Sequence, residues 1–122
     1  MENDYFFDTY AIIETLKGSE NYFAFSDKQI ITSTNNLVEF YYYLLRERGG
    51  KVAKEIIFDT DFIFLDITEE IAVESAVFRY NNKGKEFSYI DCIGYITALK
   101  NNLKFLTGDK DFNNFKNVEF VK

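Results

Sequence analysis

Short apolar runs alternate along the chain with longer amphipathic segments, and that alternation sets the expected fold. Tyr5-Phe6-Phe7 is an aromatic run that stops at Asp8 and reads as a first strand. Tyr10 to Lys17 follows as a short helix ended by Gly18, and Asn21 to Phe25 leans to helix. Gln29-Ile30-Ile31-Thr32 reads as a second strand. Ser33 or Thr34 can cap a helix running from about Asn36 to Arg48, whose Leu37, Phe40, Tyr41, Leu44 and Leu45 share one face. Gly49-Gly50 ends it, and Lys51 to Ile57 reads as a further helical segment. Phe62-Ile63-Phe64-Leu65 has the composition of a buried strand. Thr68 then caps a helix whose Glu69 and Glu70 suit its dipole, and Asn81-Asn82-Lys83-Gly84 terminates it. Ser88 opens a helix reaching about Lys100, and Lys104 to Thr107 and Val118 to Val121 are the last two strands.

Strands separated by helices imply an α/β fold with a mostly parallel sheet of about five strands, covered on both faces. The 122 residues contain no repeat, low-complexity tract or linker, which suits one domain over 1–122. Aromatic residues make up 19% of the chain, with 14 Phe and 9 Tyr, so bulky rings are expected to fill the core.

Two absences narrow the chemistry. There is no His, which excludes a Ser-His-Asp triad, an imidazole base and a His-ligated zinc site. The one cysteine, Cys92, cannot pair internally, which favours a reducing compartment. The acidic start Met1-Glu2-Asn3-Asp4 does not read as a signal peptide, and no apolar run approaches the roughly 20 residues a bilayer requires. A soluble, cytoplasmic protein with no membrane contact is expected. The net charge of −6 counts mildly against a nucleic-acid partner, but Arg46, Arg48, Lys51 and Lys54 form one basic stretch and Arg79, Lys83 and Lys85 another.

The candidate chemistry is acidic. In an open α/β sheet, ligands bind beyond the carboxyl ends of the strands. Asp8 ends the first strand, Asp109 follows the fourth, Asp91 lies in the first turn of the helix before it, and Glu39 lies early in the helix after the second. With right-handed crossovers these four carboxylates can meet on one rim, and oxygen donors alone favour Mg²⁺ or Mn²⁺ over zinc. Each acid also has a plainer reading. Ser88-Tyr89-Ile90-Asp91 fits a capping box, Asp109 beside Gly108 fits a turn, and Asp8 can cap the helix after it. Glu39 points away from the Leu37/Phe40/Leu44 stripe, which suits a solvated surface residue.

These segments resemble the PIN-domain family, and especially its VapC-type toxin ribonucleases. Phe6-Phe7-Asp8-Thr9-Tyr10-Ala11 is similar to the family's opening strand, and Leu37-Val38-Glu39-Phe40 to the helix carrying its glutamate. Ile67-Thr68-Glu69-Glu70-Ile71-Ala72 resembles the entry to the third main helix. Ser88-Tyr89-Ile90-Asp91-Cys92-Ile93 resembles the segment with the third acid, and Leu106-Thr107-Gly108-Asp109-Lys110-Asp111-Phe112 the closing motif. The resemblance implies a three-layer α/β/α sandwich. It implies Asp8, Glu39, Asp91 and Asp109 as catalytic metal ligands, Asp111 as an additional one, and Thr107 and Thr9 as hydroxyls behind them. It further implies Mg²⁺ or Mn²⁺, cleavage of single-stranded RNA by metal-activated water leaving a 5′-phosphate and a 3′-hydroxyl, a homodimer, and a small antitoxin partner.

Alternatives within that frame are a housekeeping RNA-processing nuclease and a catalytically inactive PIN-like binding module. A nucleotide-binding doubly wound domain would want a Gly-rich loop where Asp8-Thr9-Tyr10-Ala11 stands. Tyr42 and Tyr43 read as partner contacts or half-buried core before base-stacking surfaces. Cys92 reads as a small core residue. Both basic stretches read as solvated faces, with phosphate contact the lesser alternative.

Overall fold

The computed structural model describes residues 4–122, so Met1, Glu2 and Asn3 of the acidic start lie outside the described part. Five strands form one sheet: β1 (Tyr5–Phe7), β2 (Ile30–Thr32), β3 (Phe62–Phe64), β4 (Lys104–Thr107) and β5 (Val118–Phe120). Their spatial order is β3-β2-β1-β4-β5, and every pairing is parallel. The helices are α1 (Thr9–Lys17), α2 (Thr34–Arg48), α3 (Gly50–Asp59), α4 (Glu69–Asn81) and α5 (Tyr89–Lys100), with 3₁₀ turns at Glu20–Phe25 and Lys110–Phe112.

Period-two alternation within the central strands builds three layers. Phe6 and Phe105 point to one face and pack with Ile71, Cys92, Ile96 and Phe112. Phe7 and Leu106 point to the other, against Ala11, Ile12, Phe40, Leu44 and Ala53. Thus α4 and α5 cover one face while α1, α2 and α3 cover the other. Gly94 lets α5 lie close to the sheet, because a Cβ there would stand 3.1 Å from the Phe6 ring and 3.2 Å from that of Phe105.

Phe62–Leu65 departs from the sequence reading. It forms a strand, but at the sheet edge, and Ile63 and Phe64 are 44% and 40% exposed rather than buried. Its apolar run suggested two covered faces, whereas the topology gives β3 a neighbour on one side only. The Asn21–Phe25 stretch is helical, but as the tighter 3₁₀ form. No helix among the described residues is long and apolar enough to cross a membrane.

Candidate functional site

β1 lies at the middle of the sheet, with β2 on one side and β4 on the other. The chain therefore leaves the carboxyl ends of β1 and β4 toward opposite faces, which creates the crevice where such sheets bind ligands. Asp8 follows β1 directly and is 6% exposed. Its Oδ1 accepts the Ala11 N–H at 2.8 Å, capping α1, and its Oδ2 accepts the Thr107 hydroxyl at 2.5 Å. The register Phe7↔Leu106 brings these two residues, 99 apart in sequence, side by side.

From Thr107 the order propagates along the chain. Its Oγ1 accepts the Asp109 N–H at 3.0 Å, and Asp109 Oδ1 accepts the Asp111 N–H at 2.9 Å, which caps the 3₁₀ turn. Asp111 thus enters the arrangement through its amide. Gly108 fits between these residues because a Cβ there would lie 2.1 Å from the Tyr10 ring.

Glu39 is not the solvated glutamate that its helical position suggested. It is half-buried, and its Oε1 accepts the Thr9 hydroxyl at 2.6 Å. Thr9 Oγ1 in turn accepts from Asn36 Nδ2 at 3.1 Å, and Asn36 Oδ1 accepts the Ser33 hydroxyl at 2.7 Å. Ser33 and Asn36 are buried, and sequence reasoning assigned neither a part in the site beyond a possible cap at Ser33. The available signal was the polar run Thr32-Ser33-Thr34-Asn35-Asn36 directly after an apolar strand, where a polar cluster must find partners if it is buried.

Asp91 completes a capping box at the start of α5. Its Oδ2 accepts the Ser88 N–H at 2.8 Å, and Ser88 Oγ accepts the Asp91 N–H at 3.0 Å. The plainer reading of this residue is therefore realised, although its carboxylate also sits within electrostatic reach of Asp8, Asp109 and Glu39.

The cluster is strained by its own charge. Burial pushes the Asp8 carboxyl up to about 7, the Thr107 and Ala11 donors oppose this, and repulsion from Asp91 and Asp109 adds to it. Asp91 is raised too, first by burial and then by Asp109 and Glu39, against the Ser88 hydrogen bonds. Partial positive charge at the N-termini of α1, α2 and α5 offsets part of the repulsion. Among the described residues, no three acidic side chains are gathered tightly enough to grip one ion as placed. Asp91, folded back onto Ser88, is one that would have to turn. In chemistry the set fits a hard divalent cation: all donors are carboxylate oxygens, and a cation would favour the charged form of Asp8 that burial opposes.

Stacked rings fix the acid-bearing segments to one another. Phe87, just before Ser88, stacks on Phe112, just after Asp111, with ring centres 4.2 Å apart. Both contact Phe115, and Tyr95 and Phe105 pack on Phe112.

Comparisons with known proteins agree with this architecture. The family model described as PIN domain matches residues 5–118. None of the curated proteins matches the chain. Among solved structures, a toxin–antitoxin complex from Klebsiella pneumoniae aligns with a TM-score of 0.75 at 21% identity, covering 95% of this chain and 96% of that one. VapC20 of Mycobacterium tuberculosis, described as a sarcin-ricin loop cleaving toxin, aligns with a TM-score of 0.75 at 19% identity, covering 98% and 100%. VapBC2 of Rickettsia felis, bound to a promoter DNA fragment, aligns with a TM-score of 0.73 at 17% identity, covering 97% and 98%. With residues 5–118 matched in sequence and the all-parallel sheet matched in space, the chain belongs to the PIN domain family.

Proposed function

We propose that this chain is a divalent-metal-dependent endoribonuclease cleaving single-stranded RNA, and the toxin of a toxin–antitoxin pair. One observation supports the reading: Asp8, Glu39, Asp91 and Asp109 lie within electrostatic reach of one another around the switch point of the sheet, with Asp8 and Glu39 bonded to the hydroxyls of Thr107 and Thr9. Asp8, Glu39, Asp91 and Asp109 would hold Mg²⁺ or Mn²⁺, with Asp111 as an additional ligand. The cation, when bound, would supply an activated water and charge to stabilise the leaving oxygen.

The chain's own residues do the positioning. Asp8 presents a fixed carboxylate, because both of its oxygens are tied to protein donors. Thr107 couples that carboxylate to the Asp109 backbone, so the two acids shift together. Thr9 and Asn36 hold Glu39 against rotation toward solvent. Such outer partners are typically worth about 10–100-fold in metal affinity or activity.

The names of the structural neighbours support a toxin over a housekeeping role, and a small open reading frame beside the gene would separate the two. An antitoxin would find apolar surface on α2, where Val38 and Tyr42 are 67% and 65% exposed beside Leu37, Tyr41 and Leu45. We also propose that the chain acts as a homodimer in the cytoplasm. A non-cutting PIN-like module is favoured by one feature, the acids standing too far apart to grip an ion without side-chain rotation.

Cleavage of a labelled single-stranded RNA pool in Mg²⁺, Mn²⁺ or EDTA, wild type against Asp8→Asn, decides between these readings. The nuclease predicts cutting that needs metal and disappears in the variant. Absence of cutting, with no metal binding by calorimetry, supports the non-cutting module.

A further inference from the structure

The basic stretch Arg79 to Lys85 reads in sequence as a solvated face, yet its side chains are organised around exposed rings. The Arg79 guanidinium lies 4.1 Å from the centre of the Tyr89 ring, and the Lys83 ammonium lies 4.5 Å from that of Tyr80. Together with Ala76 these four residues line a cleft of about 220 Å³. Tyr80 and Tyr89 are 69% and 65% exposed even with a cation over each ring. Arg79 is anchored: its Nε donates to the Phe87 carbonyl at 3.0 Å. Among the described residues, no carboxylate pairs with Arg79, Lys83 or Lys85. Glu86 is the one acid between Arg79 and Ser88 in sequence.

The cleft and Asp91 share the first turn of α5. Tyr89 is the first residue of that helix and Asp91 the third, about 160° apart around its axis, so they stand on opposite sides of the same helix end. A strand wrapping this helix end passes from one to the other. The chemistry matches such an occupant. Arg79 and Lys83 offer cations to phosphate, while the exposed Tyr89 and Tyr80 rings offer stacking to a base, which any base accepts. Local positive charge on a chain of net charge −6 also answers how an acidic protein attracts a polyanion.

We infer that Arg79, Tyr80, Lys83 and Tyr89 form a subsite that receives one nucleotide of the single-stranded RNA substrate away from the carboxylates, beyond the N-terminus of α5. This rests on the nuclease reading above and adds residues outside its carboxylate centre.

The test is fluorescence anisotropy of a labelled single-stranded oligoribonucleotide with wild-type protein in EDTA, which prevents cutting, alongside cleavage in Mg²⁺. Tyr89→Leu is expected to weaken binding about tenfold, and Tyr89→Phe to retain it. Lys83→Ala is expected to reduce the slope of log K against log salt by about 0.7 if one phosphate no longer meets a lysine. In cleavage, Tyr89→Leu should raise KM with kcat little changed, and thermal melts would show that the variant is folded. Unchanged binding and KM in Tyr89→Leu, with cleavage still lost in Asp8→Asn, overturn the subsite and leave the nuclease standing. Failure of the wild type to bind or cut RNA overturns both. Loss of a protein partner by Tyr89→Leu with RNA binding intact assigns the cleft to that partner and overturns the subsite.

Discussion

Asp8 has both a structural and a chemical part, and the two make opposite demands on its charge. Its oxygens accept from Ala11 and Thr107, which favours the carboxylate, while burial and the neighbouring acids favour the neutral form and win, to about 7. A folded-state value raised above the ordinary 3.8 means that the unfolded chain releases its proton first as pH rises. Metal-free protein should therefore lose stability between about pH 4 and pH 7, by roughly 4 kcal/mol from this group, and level off above that range. Melting curves in EDTA across this range check it. Asp8→Asn should flatten the profile and raise the melting temperature at neutral pH while abolishing cleavage. Thr107→Val tests the hydroxyl separately, with an expected loss of about 10–100-fold in metal-dependent cleavage and metal affinity measured by calorimetry. Asp8, Asp91 and Asp109 were legible as candidates because each stands at a predicted strand end or helix start. The Ser33–Asn36–Thr9–Glu39 chain was not, since it joins two crossovers whose relative placement depends on the fold.

At the level of elements, the N-terminus of α5 and the 3₁₀ turn after β4 act as one unit. The Phe87–Phe112 stack ties the loop entering Asp91 to the turn leaving Asp109, in a cluster with Phe78, Tyr95, Phe105 and Phe115. Phe112 is fully buried, so Phe112→Ala should cost about 3–5 kcal/mol in chemical denaturation. The milder Phe112→Leu should reduce cleavage more than its stability loss explains, because it loosens Asp109 relative to Asp91. Ser88→Ala removes a cap worth about 1 kcal/mol while leaving the Ser88 backbone N–H to the Asp91 carboxylate in place. The abundance of Phe predicted a ring-filled core but not which rings meet, since stacking partners come from segments far apart in sequence. Strand positions were readable from apolar runs, whereas the edge position of β3 was not: composition reports what a strand tolerates, and sheet order decides what covers it.

For the whole molecule, the order β3-β2-β1-β4-β5 puts β1 and β4 side by side at its centre, with Asp8 and Thr107 at their carboxyl ends. The apolar surface on α2 belongs to the crossover between β2 and β3, which meets the carboxylates at the start of that helix. Val38→Asp should therefore weaken capture of a co-expressed antitoxin by tenfold or more, seen as loss of co-purification, while RNA cleavage by the isolated chain stays intact. The resemblance of five segments in order fixed the architecture more firmly than periodicity could, because periodicity gives elements and only the crossovers give their neighbours. The pairing of β1 with β4 has a further consequence during synthesis. Asp8 leaves the ribosome almost a hundred residues before the strand that completes its surroundings, Lys104–Thr107. Until that segment is released, the oldest acid of the site has no Thr107 beside it and no Asp109 opposite. A nascent chain that has not yet released this segment carries Asp8 without its Thr107 partner, so the candidate site assembles only once β4 has been made.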